Sequence, residues 1–401
     1  MRYYRMSDCY DYTVAKLRKR NGYNMKNLLV GNGINIQFDS FNYTPQQIVL
    51  RVLKNCDRDD FPVHIIVNSS QLLKIYIGQL YLEGRNILQG QYDAYAISES
   101  EKKSLEAFKE QYASRINTLR ITDIGFEDYY LIHDLVCHKT GTNNPEQYHA
   151  REGMRTAYLY SIYNDGRVNS LYKRYPKKLV EYLLGFDHIF TTNYDSNLEL
   201  CGCENVFHIH GQFDKKCEVY CSDSLRNKLP DAPIMDIDID EEYYYLYSNA
   251  LTTHSGDYKE FQIKQISYAN EGLKKMAVAY NSDSEIRKDV DSWILGSNKL
   301  LVNIGHAIKL KAEHPELDFN DNYNFDKLIN ISGELEMIGL SPWNDLHIFE
   351  AINNASLDKC IYYYYSAKDC EVVKSLLSSL AIDERLEFRS VVEFWESCYE
   401  E

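Results

Sequence analysis

Short apolar runs that end in small or polar residues alternate along this chain with segments of helical spacing. The runs lie at 27–30, 189–192, 206–209, 336–339 and 359–365. Because they are largely apolar and are separated by helical segments, they are typical of buried strands in a parallel sheet. The pattern predicts an α/β fold, namely a Rossmann-like parallel sheet with helices on both faces.

Local signals bound the first strand and the elements that follow it. Residues 31–35 contain two glycines and predict a turn directly after the strand. Thr44 followed by Pro45 predicts a helix that runs to about Cys56, because a Thr cap with Pro at the first helical position is a helix start signal. A further apolar run at 63–67 predicts another strand.

Helical spacing and capping signals divide the chain into a sheet domain and two insertions. Ser98 and Glu101 have the spacing of a capping box before a long amphipathic stretch. Pro176 opens a helix that Gly185 ends, and the next strand follows directly. We expect an N-terminal arm at 1–25, a sheet domain at 26–69, 176–221 and 326–401, a helical insertion at 70–175, and a mixed insertion at 222–325.

The charge of the chain argues against some classes of partner. A formal net charge of −15 over 401 residues makes nucleic acid an unlikely ligand of this chain alone, because phosphate contacts need clustered Lys and Arg. Residues 1–25 lack the apolar stretch of a secretory signal, and no run reaches the roughly 18 apolar residues of a bilayer span. Ten cysteines at irregular spacings fit reduced thiols. We expect a cytoplasmic protein with no membrane partner.

The turn after the first strand is a candidate phosphate site. Gly31, Asn32 and Gly33 lie where glycines let the backbone approach a pyrophosphate, whose charge the following amides can stabilise. The third glycine of the common dinucleotide fingerprint is absent, since position 36 is Ile36. An ordinary strand-ending turn explains the same residues.

Two polar side chains follow the strand at 189–192. Asn193 and Asp195 have the spacing to hydrogen-bond a ribose or a carboxamide, and Thr192 precedes them. The alternative is structural, with Asp195 capping the helical turn that begins near Ser196. Both alternatives remain open on the sequence.

Two histidines end the strand at 206–209. If the strand continued through them, His208 and His210 would share one face, but a metal site would need a third ligand and none lies at a telling distance. His210, at the strand end, is the better candidate for a base, and His208 for a hydrogen-bonded sheet residue. The acidic segment 236–242 is another cation candidate, although solvated charges on an edge strand explain it as well.

In this order, these segments resemble the sirtuin family. Its members carry a Gly-Ala-Gly turn, a Thr-Gln-Asn-Ile-Asp strand end and a His-Gly pair that bears the catalytic histidine. The corresponding residues here are Gly31–Gly33, Thr191–Asp195 and His210–Gly211. A fourth segment, Gly339–Ser341, resembles the family's Gly-Thr-Ser, which contacts the phosphates and ribose of the nucleotide. Four short motifs in the family's order are more specific than any one of them.

The departures from the family are informative as well. Deacylating sirtuins carry a zinc module of two Cys pairs after the His-Gly. Here Cys217 and Cys221 can supply one pair, but the next cysteine is Cys360, so no zinc is expected. The chain is more similar to the divergent bacterial branch, in which sirtuin-like domains hydrolyse NAD+ during anti-phage defence and abortive infection.

The resemblance implies NAD+ as substrate, with His210 as the base, Asn193 orienting the ribose or the water, and Asp195 contacting the carboxamide. It implies nucleotide contacts from Gly31, Asn32, Gly33, Thr192, Gly339 and Ser341. It also implies a homo-oligomer and a pairing with a HerA-type hexameric ATPase. The alternatives are a non-catalytic subunit that binds NAD+ or ADP-ribose, a nuclease subunit of a defence complex, and a deacylase, which the missing Cys pair disfavours.

Overall fold

The apolar runs form parallel strands of one sheet. A computed structural model describes residues 24–63, 69–143, 146–215, 240–254, 257–313, 315 and 323–399. Within them, a six-stranded sheet has the order β3-β2-β1-β4-β5-β6, and every neighbouring pair is parallel. The strands are β1 Lys26–Val30, β2 His188–Thr191, β3 Val206–His208, β4 Ser332–Ile338, β5 Ser356–Tyr364 and β6 Leu386–Ser390. The predicted α/β fold with a Rossmann-like parallel sheet is confirmed.

Helices fill the connections between the strands. They are α1 Gly33–Tyr43, α2 Pro45–Asn55, α3 Ser70–Leu88, α4 Glu99–Tyr112, α5 Asp128–Thr140, α6 Glu146–Tyr163, α7 Lys177–Leu183, α8 Asn197–Leu200, α9 Asp257–Ser282, α10 Ser284–Ile294, α11 Lys299–Glu313, α12 Phe325–Ile329, α13 Leu346–Asn353, α14 Ala367–Leu376, α15 Ser378–Ile382 and α16 Val391–Tyr399. Among the described residues, no helix has the length and apolar character needed to cross a bilayer.

The residues predicted to start or end helices lie at the observed helix ends. Ser98 and Glu101 form a reciprocal capping box at the start of α4: Ser98 Oγ accepts from Glu101 N at 3.1 Å, and Ser98 N donates to Glu101 Oε2 at 2.8 Å. Pro45 occupies the first position of α2. Gly185 follows the C-cap of α7, and β2 begins three residues later.

The structure departs from the sequence-based predictions at two places, and a third prediction lies mostly outside the described residues. The predicted turn at 31–35 is wrong beyond Asn32, because α1 begins at Gly33 and buries Ile34 and Phe38 one helical turn apart. Strand β6 was not predicted; among the described strands it pairs with β5, at the edge of the sheet. The predicted strand at 63–67 lies, apart from its first residue, outside the described part of the chain.

Both faces of the sheet are buried, which is why its strands are so apolar. Leu28 and Val30 of β1 pack on one face, in a core that also contains the helices of segment 70–175. Leu29 packs on the other face with α13 and α14. The predicted helical insertion therefore shares its core with the sheet. Helices α9, α10 and α11 bury a smaller core of their own.

Candidate functional site

The carboxyl ends of the inner strands meet at one edge of the sheet, as the strand order requires. The backbone pairing continues past the strands at this edge. Thr192 N donates to the Val30 carbonyl oxygen at 3.1 Å, and Ile209 N donates to the Thr191 carbonyl oxygen at 2.9 Å. The strand ends that carry the candidate residues are therefore contiguous. The order also reverses between β1 and β4, and in such sheets this switch point is where dinucleotides bind.

The glycines at this switch point let the two strand ends approach closely. A Cβ on Gly31 would lie 2.4 Å from the Gly339 carbonyl oxygen, and one on Gly33 would lie 2.4 Å from Gly339 Cα. Gly31 N donates to the Ile338 carbonyl oxygen and Gly33 N to that of Gly339, each at 2.9 Å. Both amides are thus already hydrogen-bonded. The geometry matches the ordinary strand-ending turn, and a phosphate needs other donors.

Other candidate residues lie partly exposed along the same edge. Asn32, Thr192 and Ser341 each keep part of their surface open. Asn32 donates from Nδ2 to the Tyr43 carbonyl oxygen at 3.1 Å, which ties the start of α1 to its end. Ser341 Oγ accepts from Trp343 N at 3.4 Å, in the loop after β4. These three partly exposed residues lie just beyond the strand ends.

Asn193 is held by hydrogen bonds to three other residues. Its side-chain Nδ2 faces the Gly31 carbonyl oxygen at 3.4 Å, and its amide donates to Thr191 Oγ1 at 3.1 Å. Its own carbonyl oxygen lies 2.8 Å from Nδ1 of His208. Asn193 is 7% exposed, so it has a fixed position next to the glycine turn.

Asp195 makes local structural contacts at the start of α8, although the N-cap residue of that helix is Ser196. Its Oδ1 accepts from the backbone amide of Asn197 at 3.1 Å and from its side chain at 2.6 Å. Its Oδ2 accepts from Asn35 Nδ2 at 2.7 Å. Burial raises the pKa of Asp195, opposed by these hydrogen bonds. The Asn35 amide is thereby oriented, and its buried Oδ1 has no partner within the residues described.

His208 is fully hydrogen-bonded, as predicted. Nδ1 faces the Asn193 carbonyl oxygen and Nε2 faces Glu199 Oε1, each at 2.8 Å. Because both partners are acceptors, both ring nitrogens carry protons. Burial opposes this charge, but the bond to Glu199 prevails and raises the pKa of His208. The condition under which His208 and His210 would share a strand face is not met, since β3 ends at His208.

His210 faces a second histidine. Its Nε2 lies 3.0 Å from Nε2 of His347, the second residue of α13, and the two rings stack with centroids 5.2 Å apart. His347 stacks in turn on Phe325, at 5.8 Å. Asp345 joins the pair, and one ligand atom of each of the three residues lies within 4.8 Å of the others. His210 and His347 are each 1% exposed, and Asp345 is 7% exposed.

A buried ion cluster borders the histidines and joins three parts of the chain. Lys259 Nζ of α9 lies 2.7 Å from Glu127 Oε1, just before α5, and 3.7 Å from Asp345 Oδ1, just before α13. The Lys259 side chain is 4% exposed. A charge buried so deeply requires such partners, because removal from water is costly.

This environment sets the protonation of the site. Burial, followed by the charges of Lys259 and His347, lowers the pKa of His210 well below its usual value. Burial and Lys259 lower the pKa of His347 to about 3. Burial raises the pKa of Asp345 to about 6, although Lys259 acts in the opposite direction. Near neutral pH both histidines are therefore uncharged, and Asp345 is mostly ionised.

No protein-family model, curated protein or solved structure matches this chain. The likeness to sirtuins therefore rests on the four motifs, and the functional argument rests on the geometry of this edge.

The sequence located the strand ends but missed several residues beside them. Asn35 was assigned to a turn, and Lys259 lies in a segment with no motif. Glu127 likewise carries no local signal. His347 lies six residues after Ser341, so the available hint was a histidine shortly after the motif Gly339–Ser341.

The other metal candidates fall mostly outside the described residues. Cys217 and Cys221 lie outside the described residues, as does most of the acidic segment 236–242. The described remainder, Asp240–Glu242, does not form an edge strand. Asp240 accepts from Glu242 N at 3.1 Å and caps a 3-10 helix at Glu241–Tyr247. That contact gives the Asp240 carboxylate a structural role.

Proposed function

We propose that this chain is an NAD+ hydrolase, which cleaves NAD+ to nicotinamide and ADP-ribose and depletes NAD+ in bacterial anti-phage defence. The observation that carries the proposal is an uncharged histidine, His210, at the carboxyl edge of a sheet with the Rossmann strand order. Dinucleotides bind such sheets outside the strand ends, at the switch point. The four sirtuin-like motifs lie around this edge and supply the reaction class.

The reaction breaks a glycosidic C–N bond through an oxocarbenium-like transition state. Nicotinamide leaves from a pyridinium and needs no protonation, so a base is the useful catalyst. His210 takes that role on the incoming water or on a ribose hydroxyl, since its ring is uncharged at neutral pH. General-base catalysis of this kind accelerates turnover by roughly 10²–10⁴-fold. No metal is required for this step.

The surrounding residues bind and orient the substrate. Asn193 orients the nicotinamide ribose or the water. Both carboxylate oxygens of Asp195 already accept hydrogen bonds, so Asp195 does not contact the carboxamide itself. It orients Asn35 instead, whose unpaired Oδ1 can accept a hydrogen bond from the carboxamide of NAD+. The phosphates and adjoining ribose are assigned to Asn32, Thr192 and Ser341, at an edge shaped by Gly31, Gly33 and Gly339.

Burial of the site fits an enzyme that is inactive until triggered. His210 is 1% exposed, so the edge must open before the ribose of NAD+ can reach it. A hydrolase that empties the cell of NAD+ has to be restrained in this way. We assign the trigger to assembly: a homo-oligomer of this chain, in complex with a HerA-type ATPase.

Nicotinamide release from NAD+, measured by HPLC on the full chain, tests the proposal. His210→Ala and Asn193→Ala should each lower turnover by roughly 10²–10⁴-fold. His188→Ala is the matched control, because His188 lies at the opposite end of β2. Release that His210→Ala leaves unchanged would refute the mechanism. Absence of release in vitro, with constant NAD+ in expressing cells before and after phage infection, would refute the hydrolase.

The same burial favours a second candidate, a non-catalytic subunit that binds NAD+ or ADP-ribose and scaffolds a defence complex. Calorimetry with each nucleotide separates the two. Binding that Asn35→Ala weakens, without any nicotinamide release, supports the scaffold.

A further inference from the structure

We propose that His210, His347 and Asp345 form a binding site for a divalent transition-metal ion of the zinc class, and that the bound ion inhibits the chain. The binding claim rests on the positions, the donor atoms and the charges of these residues. The inhibition rests on the proposed function, because the ion would occupy the ring nitrogen that makes His210 a base.

The three side chains are close to the arrangement that a metal ion requires. Zinc takes nitrogen and oxygen ligands at about 2.0–2.2 Å, which places tetrahedral ligand atoms roughly 3.4 Å apart. The two Nε2 atoms are 3.0 Å apart, and all three ligand atoms lie within 4.8 Å of one another. An adjustment on the order of 1 Å, mainly of the carboxylate, therefore completes three ligands. Water would take the fourth position.

The chemistry of the donors selects the ion. Two imidazoles and one carboxylate suit zinc and its neighbours, whereas magnesium and calcium prefer oxygen ligands throughout. Metal ligands must also be deprotonated. The Nε2 atoms of His210 and His347 face each other at 3.0 Å, so one ring must move its proton from Nε2 to Nδ1 before both nitrogens can bind the ion.

The ion cluster leaves Asp345 available. Lys259 Nζ lies 1 Å closer to Glu127, at 2.7 Å, than to Asp345, at 3.7 Å. Glu127 therefore holds the lysine and limits its competition for the Asp345 carboxylate. With neutral histidines, these three charged residues sum to one negative charge. A divalent cation is thus electrostatically favoured in the site.

Zinc binding to the EDTA-treated full chain, measured by calorimetry with magnesium as the comparison, tests the site. We expect zinc to bind and magnesium not to. His347→Ala and Asp345→Asn should weaken the zinc affinity by about 100-fold or more, since each removes a ligand. His188→Ala, far from the cluster, should bind as the wild type does.

Cobalt substitution separates this site from the cysteines. Bound Co2+ should give the visible spectrum of nitrogen and oxygen ligation, without a thiolate charge-transfer band, and His347→Ala should abolish it. A thiolate band, or zinc affinity unchanged in both variants, would overturn the proposal. Circular dichroism of each variant confirms that it is folded.

The inhibition is measured separately, as the ratio of nicotinamide release with and without zinc for each protein. Zinc should suppress release by the wild type, EDTA should restore it, and the ratio should approach one in Asp345→Asn. Zinc binding by a chain without hydrolase activity would contradict only the proposed function. Hydrolysis by a chain that does not bind zinc would contradict only the metal site.

Discussion

Replacement of Lys259 by methionine is expected to destabilise the protein by about 3–5 kcal/mol, because it leaves buried carboxylates without their cation. Lys259 is buried, with its ammonium 2.7 Å from Glu127 and 3.7 Å from Asp345. Methionine preserves most of the side-chain volume, so the loss of stability reports mainly on the removal of the charge. Adding Glu127→Gln to the variant should recover part of the loss, since one unpaired charge is then removed.

The cost should depend on pH in a definite direction. The pKa of Asp345, already raised to about 6 by burial, rises further once the attractive charge of Lys259 is absent. A carboxyl with a raised pKa contributes stability that is complete below its unfolded value, about 3.9, and is lost as pH rises through the folded pKa. The destabilisation should therefore be largest above pH 7 and smaller at pH 5.

Urea denaturation at pH 5 and pH 8, followed by circular dichroism, gives both quantities. Lys359→Met is the matched control: Lys359 pairs with Glu387 at 2.6 Å, but both side chains are 40% exposed. An exposed pair of this kind contributes about 0–1 kcal/mol. Equal costs for the two substitutions, or a cost at Lys259 that does not vary with pH, would refute the electrostatic reasoning.

The remaining predictions concern the switch point and one cap. Gly33→Ala should destabilise the protein by about 1–3 kcal/mol, because the added Cβ would collide with Gly339. Gly78 lies on a helix with open space around it, so Gly78→Ala should stabilise the protein by roughly 0.5–1 kcal/mol. Thermal denaturation compares the two variants. The wild type should lose stability between about pH 4 and pH 6 as Asp345 ionises, and Asp345→Asn should remove this pH dependence. Melting temperatures measured across this pH range test it. Ser98→Ala should cost about 1 kcal/mol in urea denaturation by removing the capping box of α4.

The fold was predictable where its signals are local. Strand β1 is a continuous apolar run with a glycine after it, and it lies within one residue of its predicted start. Strand β4 starts four residues earlier than predicted, because Ser332 and Glu334 interrupt the apolar pattern. Both residues pair with β5, although the register shifts between Gly333 and Glu334. Helix α1 was missed because its first residue, Gly33, was counted as part of a turn.

The sequence predicted the site residues that lie in motifs at strand ends, but not those that tertiary contacts bring to the site. Motifs at strand ends gave Asn193 and His210. Nothing local to Lys259 indicates that it will be buried between the chain segments that carry Glu127 and Asp345. The pairing of His210 with His347 spans 137 residues and depends on how α13 packs against the end of β3. Sequence motifs for metal ligands cover ligands a few residues apart, so they do not detect this pair.

The central position of β1 has a consequence for biosynthesis. One edge of β1 is completed only by β4: Asn27 donates its side-chain amide to the Glu334 carbonyl oxygen, 307 residues later. At about 5–20 residues per second, a ribosome needs roughly 15–60 s to make the intervening chain. For that interval a strand that buries four of its five residues in the folded sheet has an unpaired edge open to other chains. We therefore expect the nascent protein to depend on chaperones until β4 emerges.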